Sequence, residues 1–134
     1  MTRGAWRTRP GAVALLAAGL SCGCTRSAVV PPPVEVTWTL TPSSAVVGPA
    51  TLAVTLRAPA GDAVPGARVH LEAFMSHPGM APVIADATER FPGVYDLPFA
   101  FTMAGDWVLT VTIALPGGGR VERRITVANV RPSG

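Results

Sequence analysis

Three methionines and one histidine lie close together in two short stretches of this 134-residue sequence. Met75, His77 and Met80 fall within one short segment, and Met103 follows in a second segment that ends in a tryptophan. Thioether sulfur and imidazole nitrogen are soft to intermediate ligands, which suit Cu(I) and offer little to hard ions such as Mg²⁺ or Ca²⁺. The four side chains are therefore predicted to form a copper site, provided that the loop between Met75 and Met80 folds back on itself.

A purely structural role is the alternative for the same side chains. Met75 continues the alternating apolar positions of one predicted strand and Met103 those of another, so either could fill the core as an adaptable apolar residue. His77 would then be an ordinary exposed loop histidine. His70 lies between charged neighbours on a polar strand face and is predicted to be solvated rather than a ligand.

The sequence pattern does not favour catalysis. A nucleophilic mechanism requires a positioned base, and the chain contains only His70 and His77, neither of which lies beside a recognisable nucleophile motif. The eight acidic residues are scattered singly, and the glycines at 117–119 predict a hairpin turn rather than a phosphate-binding loop. We therefore predict a non-enzymatic protein with no evident small-molecule substrate.

The N-terminal segment predicts export. Arg3, Arg7 and Arg9 precede an apolar run at 12–20, which is shorter than the roughly 20 residues that a spanning helix needs. Two cysteines follow in the order Ser-Cys-Gly-Cys, which resembles the lipobox of bacterial lipoproteins. Cys24 is favoured as the lipidated residue and Cys22 is the alternative; a secreted protein cleaved nearby, without a lipid, is the alternative to lipidation itself.

These features divide the chain into a lipoprotein-type signal peptide at 1–23, a proline-rich tether at 24–33 and one domain at 34–130. A diacylglycerol group would anchor the protein to a membrane, on its periplasmic or outer face. Three of the 11 basic residues lie in the leader, so eight remain against eight acids and the exported part is formally neutral. Nucleic-acid binding, which depends on a basic surface, is therefore not expected.

Alternation of apolar and polar residues predicts an all-β domain. The predicted strands, separated by proline and glycine turns, are 34–40, 52–56, 69–73, a weak one at 83–89, 95–101, 107–113 and 121–127. About seven short strands favour an immunoglobulin-like antiparallel β-sandwich. Trp38 and Trp107 have inward parity and are predicted to be core residues, and Tyr95 resembles the corner tyrosine of such domains. Pro98 predicts that its strand lies at an edge or carries a bulge.

Motifs along these strands resemble the YtkA-like domain, which is related to the FixH group. The resemblance is carried by Val-Gly-Pro-Ala-Thr-Leu-Ala-Val-Thr-Leu at 47–56, Pro-Gly-Ala-Arg-Val at 65–69, the Met-x-His-Pro-Gly-Met loop, Gly-Val-Tyr at 93–95 and Phe-Thr-Met-Ala-Gly-Asp-Trp at 101–107. It implies an immunoglobulin-like sandwich outside the membrane, in a family often placed near copper handling and oxidase maturation. FixH proteins carry a membrane helix where this chain has a lipoprotein-like leader, which argues against a direct role in oxidase assembly.

Two functional hypotheses of different class follow. The first is a lipid-anchored, copper-binding or copper-passing accessory protein of the cell envelope that uses Met75, His77, Met80 and Met103. The second is an interaction module of the envelope without a metal site, which binds another envelope protein through a sandwich face or an exposed edge strand.

Overall fold

The computed structural model describes residues 33–77 and 79–134. Extended backbone forms where apolar residues alternate, because successive side chains of a strand point to opposite faces of its sheet. The strands are β1 (Glu35–Thr41), β2 (Gly48–Arg57), β3 (Arg68–Met75), β4 (Val83–Asp86), β5 (Thr88–Phe91), β6 (Val94–Phe101), β7 (Gly105–Ala114) and β8 (Arg120–Val130).

The strands form two four-stranded antiparallel sheets. One sheet has the order β1-β2-β6-β5 and the other the order β4-β3-β7-β8. The inward side chains of both sheets meet in one apolar core, in which Leu52, Leu71, Leu97 and Leu109 are fully buried. Each such side chain stabilises the fold by roughly 1.5–3 kcal/mol relative to an exposed position. The predicted immunoglobulin-like sandwich is confirmed, with eight strands where about seven were expected.

The weak strand predicted at 83–89 is in fact two strands that belong to different sheets. β4 pairs with β3, whereas β5 pairs with β6 in the opposite sheet. Ala87 lies between them, and its N–H donates to the carbonyl of Val69 at 2.9 Å. The chain crosses the sandwich at this residue, and each four-residue strand is too short to show its own periodicity.

Trp38 corrects a second prediction, because its side chain is 47% exposed rather than buried in the core. The parity is as predicted, since Trp38 pairs with Val54, a core residue of β2. However, β1 is the last strand of its sheet. A hollow of about 440 Å³ separates Trp38 and Leu40 from Val127 and Ala128 of β8, so no packed layer covers the indole.

Pro98 lies in a strand that has neighbours on both sides, so the edge-strand prediction is wrong for β6 as a whole. The strand β5 covers only its first residues, up to Asp96. The N–H of Leu56 donates to the Gly93 carbonyl at 2.8 Å. Hydrogen-bonded and non-hydrogen-bonded residue pairs alternate along an antiparallel ladder. Counting from the bonded pair of Leu56 and Gly93, the pair of Thr51 and Pro98 is a non-hydrogen-bonded one. The missing N–H therefore faces the uncovered side, where no ladder bond is lost.

The strand register places the start of β1 and the β6–β7 connection at opposite ends of the sandwich. Glu35 pairs with Arg57, and Thr55 of the same strand pairs with Val94 at the start of β6. Phe101, at the other end of β6, is seven residues further on, which corresponds to about 24 Å of extended chain. The β3–β4 connection lies at this second end too, because the end of β3 pairs with the start of β7.

Candidate metal site

The four predicted ligands line one hollow at the end of the sandwich where β3 and β6 finish. Met75 is the last residue of β3, His77 and Met80 belong to the connection from β3 to β4, and Met103 belongs to the connection from β6 to β7. Together with Ala104 they enclose about 370 Å³. Two chain segments far apart in sequence thus bring three thioethers and one imidazole to the same place.

Trp107 holds the second of these segments. Its indole Nε1–H donates to the carbonyl of Met103 at 3.0 Å, which fixes the main chain at that methionine. The indole is buried and packs edge-on against Phe101, with ring centroids 5.4 Å apart, and Phe101 packs in the same way against Phe99. Because the anchor is part of the core, the position of Met103 is coupled to the most rigid part of the fold.

Ser76 ties the first segment to the second. Its N–H donates to the carbonyl of Asp106 at 3.0 Å, and its hydroxyl donates to the same oxygen at 3.2 Å. The first bond extends the β3–β7 ladder by one pair beyond Met75, which itself pairs with Trp107. The carboxylate of Asp106 in turn accepts the N–H of Asn129 on β8 at 2.8 Å. The Met75 side of the hollow is therefore fixed to two neighbouring strands.

Side-chain exposure tests whether the methionines serve as core fillers. Met80 and Met103 are 42% and 48% exposed, and His77 is exposed as well, so these three side chains are not core residues. Met75 is half-buried and packs against the core. The alternative that Met103 fills the core is therefore wrong. Met75 packs against the core with part of its side chain, and the rest faces the hollow.

The chemistry of the lining favours a soft cation. Among the described residues, the side chains that line the hollow carry no carboxylate, so they offer no anionic oxygen ligand for Mg²⁺ or Ca²⁺. Within residues 33–77 and 79–134, no group of three or more His, Cys, Asp or Glu could hold a metal ion. Neutral sulfur and nitrogen donors are what Cu(I) prefers.

The second histidine lies away from the hollow. His70 is on the outer face of β3, where its Nδ1 is 2.7 Å from a carboxylate oxygen of Asp86 and its Nε2 is 4.0 Å from one of Glu72. Each carboxylate approaches a different nitrogen of the imidazole ring. The imidazole and both carboxylates therefore cannot bind the same cation. The prediction that His70 is a solvated surface residue agrees with its partly exposed position.

Tyr95 performs the structural role that its position predicts. Its hydroxyl donates to the carbonyl of Val64 at 2.8 Å and accepts the N–H of Ala67 at 3.0 Å. These bonds fasten the β2–β3 connection to β6. Burial is the main cause that raises the pKa of the Tyr95 hydroxyl. The folded protein therefore favours the neutral phenol of Tyr95.

Glu89 closes the same end of the sandwich, which is the end opposite the hollow. One carboxylate oxygen accepts the N–H of Gly93 at 3.0 Å and the other accepts the N–H of Gly66 at 3.1 Å. The bond from Gly93, followed by that from Gly66, lowers the pKa of the Glu89 carboxyl. Sequence analysis identified neither this carboxylate nor Ser76, and it predicted Trp107 as a core residue but not as an anchor of the hollow. The Gly-Asp-Trp turn at 105–107 was the signal available for the anchors.

Both candidate lipidation sites, Cys24 and Cys22, lie outside the described residues, as do the predicted signal peptide and all but the last residue of the tether. In the part of the chain that the structure describes, no helix has the length and apolar character needed to cross a membrane. The anchor and the cellular location therefore stay predictions.

Comparison with known proteins identifies a family. A family model described as YtkA-like matches residues 31–112, which confirms the resemblance found in the sequence. A crystal structure of a DUF4426 family protein from Pseudomonas aeruginosa PAO1 aligns with a TM-score of 0.57 and 13% identity, over 76% of this chain and 94% of that one. At this identity the likeness supports the fold alone.

Two further solved structures align less closely. The soluble domain of PmoD from Methylocystis sp. ATCC 49242 (Rockwell) has a TM-score of 0.46 and 13% identity, over 71% of this chain and 89% of that one. Murine CRIg has a TM-score of 0.43 and 14% identity, over 75% and 99%. The comparison with curated proteins finds no match.

Proposed function

This chain belongs to the YtkA-like family, and we propose that it is a non-enzymatic accessory protein of the cell envelope that binds Cu(I) and passes it on. The single observation that supports this proposal is the hollow shared by Met75, His77, Met80 and Met103. Three thioethers and an imidazole form a neutral, soft donor set, for which Cu(I) is the best-matched biological cation.

The exposure of the donors favours transfer over permanent storage. Met80 and Met103 are each more than two-fifths exposed, and His77 is exposed, so an incoming protein could contact the metal directly. Only Met75 is half-buried. A site with one half-buried and three accessible ligands suits stepwise ligand exchange, in which a donor or acceptor protein replaces one ligand at a time.

The envelope location rests on the leader. Residues 1–23 have the composition of an export signal, and Cys24, or Cys22, would carry the lipid. An exported protein without a disulfide in its domain must depend on its hydrophobic core, and the apolar layer between the two sheets supplies one.

Titration with Cu(I) tests the metal proposal. The full chain, purified in a mild detergent and kept reduced, is titrated against a Cu(I) chelator beside the triple variant Met75→Ala, His77→Ala, Met80→Ala. Any free N-terminal cysteine is alkylated in both proteins before the titration, so no thiolate competes for Cu(I) and any difference between them comes from the hollow. His70→Ala is the matched control, because it removes the one histidine outside the site.

We expect the triple variant to bind at least about tenfold more weakly, a loss of about 1.4 kcal/mol or more, and His70→Ala to bind like the parent chain. Met103→Ala should weaken binding as well, because its sulfur comes from the other connection. Equal affinity of the parent chain and a folded triple variant would refute the metal site and leave the interaction module as the better hypothesis. That alternative is favoured by the exposed Trp38 on edge strand β1.

A further inference from the structure

Strand β1 presents a free main-chain edge whose outward-pointing residues, at 36, 38 and 40, carry no charge. It is the last strand of its sheet and pairs only with β2 in the described part of the chain. Along β2, the main-chain N–H and C=O groups point alternately to β6 and to β1. Because those of Leu56 point to β6, the main-chain groups of Thr37 and Thr39 on β1 point to β2. The N–H and C=O groups of Val36, Trp38 and Leu40 therefore point away from the sheet. These three residues are the ladder positions that a further strand would use.

The two edges of the sandwich on this side differ in charge. Residues 36–41 of β1 read Val-Thr-Trp-Thr-Leu-Thr, with no charged residue and no proline. On β8, the other outer strand, exposed charges occur at Arg120, Glu122, Arg123 and Arg124. Natural sheets protect their edges with charges, prolines or bulges, and an edge that lacks all three is a site for strand pairing. Only β8 has such protection.

The β1 sequence is compatible with antiparallel pairing to itself. When Trp38 lies opposite its own copy, Val36 lies opposite Leu40 and Thr37 lies opposite Thr39. All three outward-pointing residues then exchange main-chain bonds, which gives about six hydrogen bonds across the twofold axis. Cross-strand threonine pairs cover the outer face, and an aromatic pair lies at the centre. No register shift is needed to match apolar with apolar positions.

Charge also permits this arrangement. The one charged residue of β1, Glu35, would lie opposite Thr41 of the other copy. The two Glu35 carboxylates are then six residue positions apart, about 20 Å along the strands. That separation exceeds the Debye length of about 10 Å at 0.1 M salt, so their repulsion is screened.

We propose that β1 is a self-association site, through which two copies of this chain join their β1-β2-β6-β5 sheets into one eight-stranded sheet centred on Trp38. The pairing is isologous, so it closes at a dimer rather than growing into a fibre. It accounts for an indole that has inward parity but is 47% exposed beside the hollow of about 440 Å³, because the partner's Trp38 would lie against it. The inference does not depend on metal binding.

Sedimentation equilibrium of the full chain in density-matched detergent tests the dimer. We expect the parent chain to dimerise and Trp38→Lys to associate at least tenfold more weakly. Thr126→Lys, which places the same charge on β8 beside the same hollow, should dimerise like the parent chain. Val36→Pro is the second variant, because it removes only an outward N–H and leaves the β1–β2 ladder intact. A monomeric parent chain, or undiminished association of Trp38→Lys and Val36→Pro, would overturn the proposal.

Disulfide trapping tests the register. Thr37→Cys and Thr39→Cys are made separately, then mixed and oxidised, because these positions face each other only across the twofold axis. The mixture should give a cross-linked dimer that neither variant gives alone beyond the background from Cys22 and Cys24. Equal cross-linking of the single variants and the mixture would refute pairing centred on Trp38.

Discussion

Replacing Tyr95 with phenylalanine should destabilise the fold more than any other single-atom change that keeps the core filled. The hydroxyl makes two hydrogen bonds, to the Val64 carbonyl at 2.8 Å and from the Ala67 N–H at 3.0 Å. Each is worth about 1 kcal/mol net, and removing their common partner leaves a partly buried donor and acceptor unpaired. We therefore expect a loss of about 2–3 kcal/mol.

Urea denaturation of the full chain, followed by tryptophan fluorescence, measures this loss. For a domain of about 100 residues it corresponds to a decrease in Tm of roughly 10–20 °C. Thr37→Val is the matched control, because it removes a hydroxyl from an exposed position of β1. It should change the free energy of unfolding by less than about 0.5 kcal/mol.

The pH dependence gives an independent check on the same hydroxyl. Because the pKa of Tyr95 is raised in the folded state, its stabilisation is complete below the unfolded pKa. It is lost as the pH rises through the folded value. The parent chain and Tyr95→Phe should therefore differ less in stability at strongly alkaline pH than at pH 7. A Tyr95→Phe variant as stable as the control would refute the reasoning.

Three further substitutions probe other contacts. Glu89→Gln should lower the urea midpoint at pH 7. Because the Glu89 pKa is lowered in the fold, the parent chain loses this stabilisation as the pH falls through the folded value, so the midpoints of the two proteins should converge as the pH falls. Gly93→Ala should lower the free energy of unfolding by more than about 2 kcal/mol, because a Cβ would lie 2.9 Å from the Leu56 carbonyl oxygen at a φ of +76°. An unchanged urea midpoint would contradict this. Gly105→Ala places a Cβ 3.2 Å from the terminal methyl carbon of Met75 at a φ of +131°, so it should displace that side chain and weaken Cu(I) binding in the chelator assay, whereas unaltered binding would show that the Met75 side chain accommodates the added carbon.

The sequence predicts the central strands well because their periodicity and their burial have the same cause. In β2, β3, β6 and β7, every second residue packs between the sheets, and Leu52, Leu71, Leu97 and Leu109 are buried as their parity requires. For these strands, which have neighbours on both sides, parity is enough to predict burial.

Prediction failed where burial depends on the opposite sheet. Trp38 has the same parity as Leu40, yet whether an inward side chain of an edge strand is covered depends on how closely the other sheet approaches, which is not a local property of the sequence. The prediction of a single strand at 83–89 failed for another reason. Four residues per strand carry too few alternations to distinguish one strand from two.

The candidate site was predicted by residue type but not by geometry. Soft donors at 75, 77, 80 and 103 are visible in the sequence, whereas their meeting in one hollow depends on the register that pairs Met75 with Trp107. The contacts that hold the two connections together involve main-chain carbonyls, at Met103 and Asp106. Main-chain acceptors have no sequence signature, so such anchors cannot be found from side-chain patterns alone.

The position of the first strand relative to the sulfur-lined hollow has a spatial consequence for a lipid-tethered protein. If the proposed lipid is attached at Cys24, the chain enters the domain at one end of the sandwich, and the thioethers lie at the other end of β6, about 24 Å away. Copper would then be exchanged above the headgroups, within reach of diffusible carriers and of the protruding domains of neighbouring proteins.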